Sequence, residues 1–224
     1  MKKRIKIDSA LLSSTIILSG FFYQFPNLYS SNRCLDNILD LLGLAMLLKG
    51  VFFRMAARGF KKANSRQGQG LVMRGLYSYT RNPMYLGTFL IGAGFACIVW
   101  PWWMLPIFAG LFYMRFNVQV VKEEKHLRKF FGKEYEDYCD KVPRVFPRVA
   151  QAIKMNVKKV MPWKEVWSTK EKRALIFLSL LAFVLETVQE KIVFDVVNVK
   201  QTAGIFLLAY LLFAAGLFYH YRKE

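Results

Sequence analysis

"TRNPMYLGTFLIGAGFACIVWPWW", residues 80–103, opens on a polar tripeptide and closes on a tryptophan–proline turn. Between them, Met84 to Trp100 is apolar throughout and spans about 25 Å as an α-helix at 1.5 Å per residue. That is slightly short of the roughly 30 Å hydrocarbon core of a bilayer. Pro83 suits a first helical turn, where its missing N–H costs nothing, and it pushes Asn82 out of helical geometry. Asn82 is therefore the expected N-cap. Pro101, flanked by Trp100, Trp102 and Trp103, marks a tight turn with tryptophans at interface depth. A second apolar run follows at once, Trp102–Val121, so the stretch reads as a membrane helical hairpin.

The rest of the chain extends this pattern. Apolar runs recur at Ala10–Phe25, Ile38–Phe53, Ala174–Leu185 (extendable to Phe194) and Ala203–Tyr219. The 224 residues are 54% hydrophobic and 16% aromatic, unusual for a soluble domain, yet carry a formal net charge of +18. The expected fold is all-α, a polytopic membrane protein with about six transmembrane helices plus cytoplasmic interfacial helices. Charge placement agrees. With a cytoplasmic N-terminus, the inner segments 1–9, 54–82, 115–173 and 220–224 hold 29 of the 33 Lys and Arg residues, as the positive-inside rule requires. Both termini then face the cytoplasm, and the basic loops lie against anionic headgroups. Nucleic acid is not the expected partner. The basic start, Met1–Lys6, precedes an apolar run with no small-residue cleavage site. Cys34, Cys97 and Cys139 fall on an outer loop, in a helix and in a cytoplasmic segment, so no disulfide is expected. His126 and His220 show no metal-ligand spacing, and no metal is expected.

Three regions follow: 1–69, two membrane helices and a basic loop; 70–148, the hairpin and an amphipathic segment; and 149–224, an interfacial helix and a second hairpin. From Lys122 to Val142, residues Leu127, Phe130, Phe131, Tyr135 and Tyr138 recur at spacings of three and four, the stripe of a helix lying on the membrane surface. Gly132 is its expected interruption. Val149, Ile153, Val157 and Met161, followed by Trp163 and Trp167, repeat the theme. Gln67 to Gly70 is the flexible stretch.

A few side chains stand out as chemistry. Arg81 sits at the rim of the hairpin with Tyr85 one turn inside, either a snorkelling entrance residue or a ligand contact. Gly92-Ala93-Gly94 allows close approach of another helix or of a ligand. Glu123-Glu124 is an adjacent acidic pair where the fourth helix leaves the membrane. Neighbouring helical residues point about 100° apart, so one carboxylate is expected to face a pocket. Arg115, Gln119 and Glu123 share a face, and intramembrane ionisable groups signal function. Lys49 and Arg54 lie near enough to the inner surface to snorkel.

The order of these elements is more specific than any one of them. Gly75, Tyr77, Arg81, Asn82, Pro83, Tyr85 and Gly87 precede the hairpin. Glu123, Glu124, Leu127, Phe131, Gly132, Glu134, Tyr135, Tyr138, Val142, Pro143, Arg144 and Pro147 follow it. Over residues 70–148 this arrangement resembles the integral-membrane S-adenosylmethionine-dependent methyltransferases, a group that includes phospholipid N-methyltransferases and isoprenylcysteine carboxyl methyltransferases. The resemblance implies S-adenosylmethionine entering from the cytoplasm and a lipid or other lipophilic acceptor entering from the bilayer. It assigns Arg81, Tyr85 and Glu123 to catalysis. Arg81, Asn82, Tyr85, Gly92, Gly94, Glu123, Glu124 and Arg144 are assigned to the cofactor, and Arg115 and Gln119 to the substrate. A carboxylate balances the donor's positive groups, and Arg81 matches its carboxylate. Methyl transfer from a sulfonium needs alignment and exclusion of water more than covalent help.

Carboxyl-methylating members carry an arginine one helical turn before the paired glutamates, where this chain has Gln119. An amine, a thiol or a hydroxyl therefore stays open as the acceptor group. Residues 149–224 extend beyond many relatives and suit either a substrate tunnel or an oligomer contact. Two other classes remain open: an NADPH-dependent membrane reductase of the sterol and isoprenoid type, whose tail "FGKEYEDYCDKVPR" also resembles, and a non-catalytic membrane scaffold. The acidic doublet suits a cationic donor better than a pyrophosphate.

Overall fold

The computed structural model describes residues 13–65, 70–148, 160 and 163–222. Its elements are α1 (Ser13–Phe22), a 3-10 turn (Pro26–Leu28), α2 (Arg33–Asn64), a second 3-10 turn (Gly75–Ser78), α3 (Pro83–Val99) and α4 (Met104–Phe131). They continue with α5 (Lys133–Lys141), α6 (Trp163–Trp167), α7 (Lys172–Phe194) and α8 (Val199–Arg222). The described residues contain no strand. Each apolar run of the sequence falls in its own helix. By length and composition, α4 and the Val199–Tyr219 part of α8 are long and apolar enough to cross a membrane, while α1 and α3 are apolar but shorter.

The axis of the molecule is α2, about 48 Å long at 1.5 Å per residue. Asn32 caps its start by accepting from the amides of Cys34 and Leu35 at 3.0 and 3.3 Å. Leu44, Leu47, Leu48, Val51 and Met55 are wholly buried along its core face. The same apolar cluster takes in Phe22, Phe95, Ile98, Ala182, Phe206 and Ala209, so the C-terminal helices close onto the N-terminal ones.

Glycines set the closeness of α2 and α3. A Cβ on Gly50 would stand 2.6 Å from the Gly87 carbonyl oxygen, and one on Gly94 would stand 2.5 Å from that of Gly43. Two glycine pairs, seven residues apart on each antiparallel helix, thus let the backbones touch, as small residues do in membrane helix packing. At the Gly50–Gly87 end of this seam Arg54 is buried. It donates to Thr88 on α3 at 2.7 Å and to Glu171 before α7 at 3.2 Å. Arg58 joins the same carboxylate at 2.7 Å. Arg54 therefore does not snorkel as the sequence suggested: the glycine-lined crossing draws it into the protein, where Glu171 neutralises it. Lys49 is exposed.

Other local expectations change too. The amphipathic stretch does not begin a separate surface helix after Val121. Residues 104–131 form one helix, because the Val121–Phe131 sequence contains no glycine or proline to stop it. The break comes at Gly132, whose φ of +54° suits a residue without a Cβ. Asn82 occupies the N-cap position but makes no side-chain cap bond. Trp100 turns inward, its indole donating to Ser19 at 3.1 Å, whereas Trp102 is exposed. Most of the 149–163 segment, residues 66–69 and Met1–Lys6 lie outside the described residues.

The seam predicts a contrast between glycines. Gly50→Ala must push apart two backbones and should cost about 1–3 kcal/mol. Gly110→Ala meets nothing within 4 Å and should gain up to roughly 1 kcal/mol of helix propensity. Thermal unfolding of the detergent-purified protein compares the two.

Candidate functional site

The residues before α3 and those after α5 are tied together by hydrogen bonds. The Arg81 amide donates to the Pro143 carbonyl at 2.9 Å. The Thr80 hydroxyl and the Asn82 amide both donate to the Arg144 carbonyl, at 3.3 and 3.1 Å. Asn82 thus fastens two distant segments instead of capping its helix. Beside this clasp the Tyr138 hydroxyl donates to the Tyr77 carbonyl at 2.6 Å. Burial holds the Tyr135 and Tyr138 phenols far above their ordinary pKa, so both stay protonated.

The clasp brings two guanidinium groups onto one carboxylate. Glu124, 4% exposed, accepts from Arg144 Nη2 at 2.8 Å and lies 3.3 Å from Arg81 Nη1. The Arg144 bond is an aligned hydrogen bond, whereas Arg81 makes a charge contact and its buried Nε has no hydrogen-bond partner among the described residues. Arg144 reaches further, to Asn117 Oδ1 at 3.2 Å. The neighbouring acid does something different. Glu123 Oε1 accepts from the Tyr85 hydroxyl at 2.8 Å and from Gln119 at 3.4 Å.

Two cavities open on this constellation. One is polar, about 110 Å³, with Lys61, Tyr77, Arg81, Asn82, Tyr85 and Glu123 among its lining residues and Leu127, Phe131, Tyr135 and Tyr138 on its α4–α5 side. The other is apolar, about 480 Å³, walled by Phe89, Phe112, Tyr113, Phe116 and Phe146, with Asn117 and Arg144 as its polar lining. Tyr85 lines both. Its ring packs edge-on to Phe116 at 5.2 Å between centroids, while its hydroxyl faces Glu123. Phe112 and Phe116 stack at 4.0 Å, and Phe89 packs edge-on against Phe112 and Phe146.

Of the residues singled out in the sequence, Arg81, Asn82, Tyr85, Gln119, Glu123, Glu124 and Arg144 come together here. Glu123 faces the polar cavity, and Glu124 lies buried beneath it. Arg115 is exposed on α4 and lines neither cavity. Gly92 and Gly94 also line neither. A Cβ on Gly92 would collide with the Phe108 ring, and Gly94 sits in the α2 seam. The aromatic wall was not singled out beforehand. Its sequence signal is Phe108, Phe112 and Phe116 at spacings of four, a pattern easily taken for ordinary membrane-facing residues.

Residues 38–134 match the family model described as phospholipid methyltransferase. The match covers a little under half of the chain. Its curated relatives include protein-S-isoprenylcysteine O-methyltransferases. That of Saccharomyces cerevisiae is 30% identical over 129 residues, 54% of this chain and 54% of its own length. That of Schizosaccharomyces pombe is 33% identical over 79 residues, 35% of this chain and 34% of its own. A probable one from Oryza sativa subsp. japonica is 28% identical over 158 residues, covering 65% and 83%. The chain thus spans about a third to just over half of the two yeast relatives. No solved structure matches it.

The two adjacent acids predict different phenotypes. Glu124→Gln leaves two guanidinium groups facing a neutral amide. It should cost about 2–3 kcal/mol, below the value for a fully buried pair because the Arg144 side chain is 43% exposed. Glu123→Gln keeps an acceptor for Tyr85 and should change stability by about 0.5 kcal/mol or less. Thermal unfolding of both variants distinguishes them.

Proposed function

We propose that the protein is a membrane methyltransferase that moves a methyl group from S-adenosylmethionine to a lipophilic acceptor. The observation that carries this reading is the meeting of a polar and an apolar cavity at one residue, Tyr85, within the methyltransferase-like segment. Its six apolar helices span the bilayer, and both termini face the cytoplasm. Exposed apolar side chains on α1, α4, α7 and α8, among them Ile17, Leu111, Met114, Phe177, Leu180, Leu208 and Leu211, support that placement, since soluble surfaces rarely expose such contiguous patches. The basic inner loops rest on anionic headgroups.

The polar cavity fits the donor by chemistry. Lys61 and Arg81 offer cations to its carboxylate, and the orphaned Arg81 Nε is a donor waiting for an anion. Glu123 offers the matching negative charge, and Tyr77, Phe131, Tyr135 and Tyr138 offer ring faces to a nucleobase. The chamber is smaller than the roughly 300–1,000 Å³ usual for such sites, so loading requires its walls to part. S-adenosylmethionine, when bound, supplies an electrophilic methyl group on a sulfonium. The chain's own contribution is alignment. Glu123, held by Tyr85 and Gln119, fixes negative charge at the wall between chambers. The Phe89–Phe112–Phe116 stack excludes water from the acceptor side.

The acceptor chamber supplies a cation that position 119 lacks. Arg144, with Asn117, lies on its wall, so a lipophilic acceptor tipped with a carboxylate fits. The relatives' own names describe O-methyl transfer to isoprenylcysteine. Among the described residues the chamber lining includes no carboxylate or imidazole, which favours an acceptor that arrives already deprotonated. Methyltransferase relatives also favour this reading over an NADPH-dependent reductase or a scaffold.

Transfer of tritium from methyl-labelled S-adenosylmethionine into organic-extractable material tests the activity. Membranes containing the wild-type protein should yield label, and those containing the Glu123→Gln variant roughly tenfold less or lower. Tritiated methanol released by mild base marks an ester; base-stable label marks an amine or thiol product and removes the carboxylate assignment. Phe116→Ala should raise the KM for acceptor by roughly tenfold while leaving the KM for donor near wild type. No labelled product in wild-type membranes contradicts the proposal.

A further inference from the structure

At the end of α2 opposite the candidate site, a second set of acids gathers, two of them buried and one half-buried. Asp36 and Asp40 lie one turn apart on α2, and Glu186 reaches them from α7. One carboxylate oxygen from each lies within 4.8 Å of the other two. Asp40 and Glu186 are each 2% exposed. None of the three makes a salt bridge among the described residues. Arg33, the basic residue nearest in sequence, stands over the Phe194 ring at 5.0 Å, and Lys191 is engaged with Asp195 at 2.8 Å.

A fourth side chain is independent of the acids and points the same way. Gln189 is 2% exposed and turns its amide into the cluster, where Nε2 donates to Asp36 Oδ1 at 3.2 Å. Among the described residues its Oε1 has no hydrogen-bond partner, and neither do Asp40 Oδ1 and Glu186 Oε2. Three buried side-chain oxygens of Asp40, Glu186 and Gln189 therefore lack a hydrogen bond among the described residues, a costly arrangement in a native interior. Nearby Glu190 is not part of the deficit. It accepts from the Asn198 amide and the Thr202 hydroxyl, both at 3.2 Å, at the start of α8.

The geometry points to a hard divalent cation, of calcium's size, bound by Asp36, Asp40, Glu186 and the Gln189 carbonyl oxygen. A proton shared between Asp40 and Glu186 pairs their two orphan oxygens and leaves Gln189 Oε1 unsatisfied. A cation satisfies all three and offsets the charge. The donors are all oxygen, the set that selects calcium, magnesium or manganese over softer metals. Two oxygens bound to calcium at about 2.3–2.6 Å stand up to roughly 5 Å apart, and two bound to magnesium up to roughly 4.2 Å. Three oxygens within 4.8 Å of one another lie inside the calcium limit. Asp40 is about 30 Å along α2 from Lys61, which lines the polar cavity. The site therefore pins α2 to α7 and takes no part in methyl transfer.

The test is thermal unfolding of the full-length protein in detergent after EDTA dialysis, with calcium chloride as the probe. Calcium at about a hundredfold excess over its Kd should raise Tm by roughly 5–10 °C, and magnesium at the same concentration by less. Asp40→Asn and Glu186→Gln should flatten the calcium response. An unchanged wild-type Tm overturns the assignment, as does an equal calcium response in both variants. So does stabilisation by lowered pH in the absence of any divalent response.

Discussion

The arrangement depends on one buried carboxylate held between two arginines. Glu124 is buried, and Arg81 and Arg144 converge on it. They converge because the Arg81 backbone amide and the Thr80 and Asn82 side chains donate to the backbone carbonyls of residues 143–144. The interaction closes a ring: α3, α4, α5 and the following Val-Pro-Arg segment cannot separate without exposing a desolvated charge. Everything proposed about the site follows from that closure. It sets Arg81 toward the polar cavity and Arg144 toward the apolar one, and it leaves Glu123 free to turn to Tyr85.

The sequence carried much of this. Pro83 and the Trp-Pro-Trp-Trp turn delimit α3 as expected, and Gly132 ends α4. The paired motifs on either side of the hairpin meet in space. Two features resisted reading. Which member of the Glu123-Glu124 pair faces the cavity depends on the rotation of α4 about its axis. That rotation is set by Phe112 and Phe116 packing beside Tyr85 and Phe89, contacts invisible in a string of apolar letters. Gly92 and Gly94 offered either helix packing or ligand approach, and the choice rested on what lies opposite: the Phe108 ring and the α2 backbone. The Asp36–Asp40–Glu186 cluster was likewise hidden, because Glu186 is separated from the two aspartates by about 150 residues.

The division of labour between helices is also physical. The α2–α3 seam is narrow enough that only glycines fit at 43, 50, 87 and 94. On the other side, α3 and α4 are held apart by aromatic rings, and that is where the larger cavity lies. A tight contact on one face of α3 and a loose, ring-lined one on the other gives a single helix two roles. Its first turn carries Tyr85 at the point where the two chambers meet.

Photo-crosslinking of the purified full-length protein with tritium-labelled S-adenosylmethionine, followed by peptide mapping, tests the central claim most directly. Label should fall within residues 70–85 and 123–138, the walls of the polar chamber, and should be lost in the Glu123→Gln variant. Label concentrated in residues 172–222, or unaffected by that substitution, would contradict it.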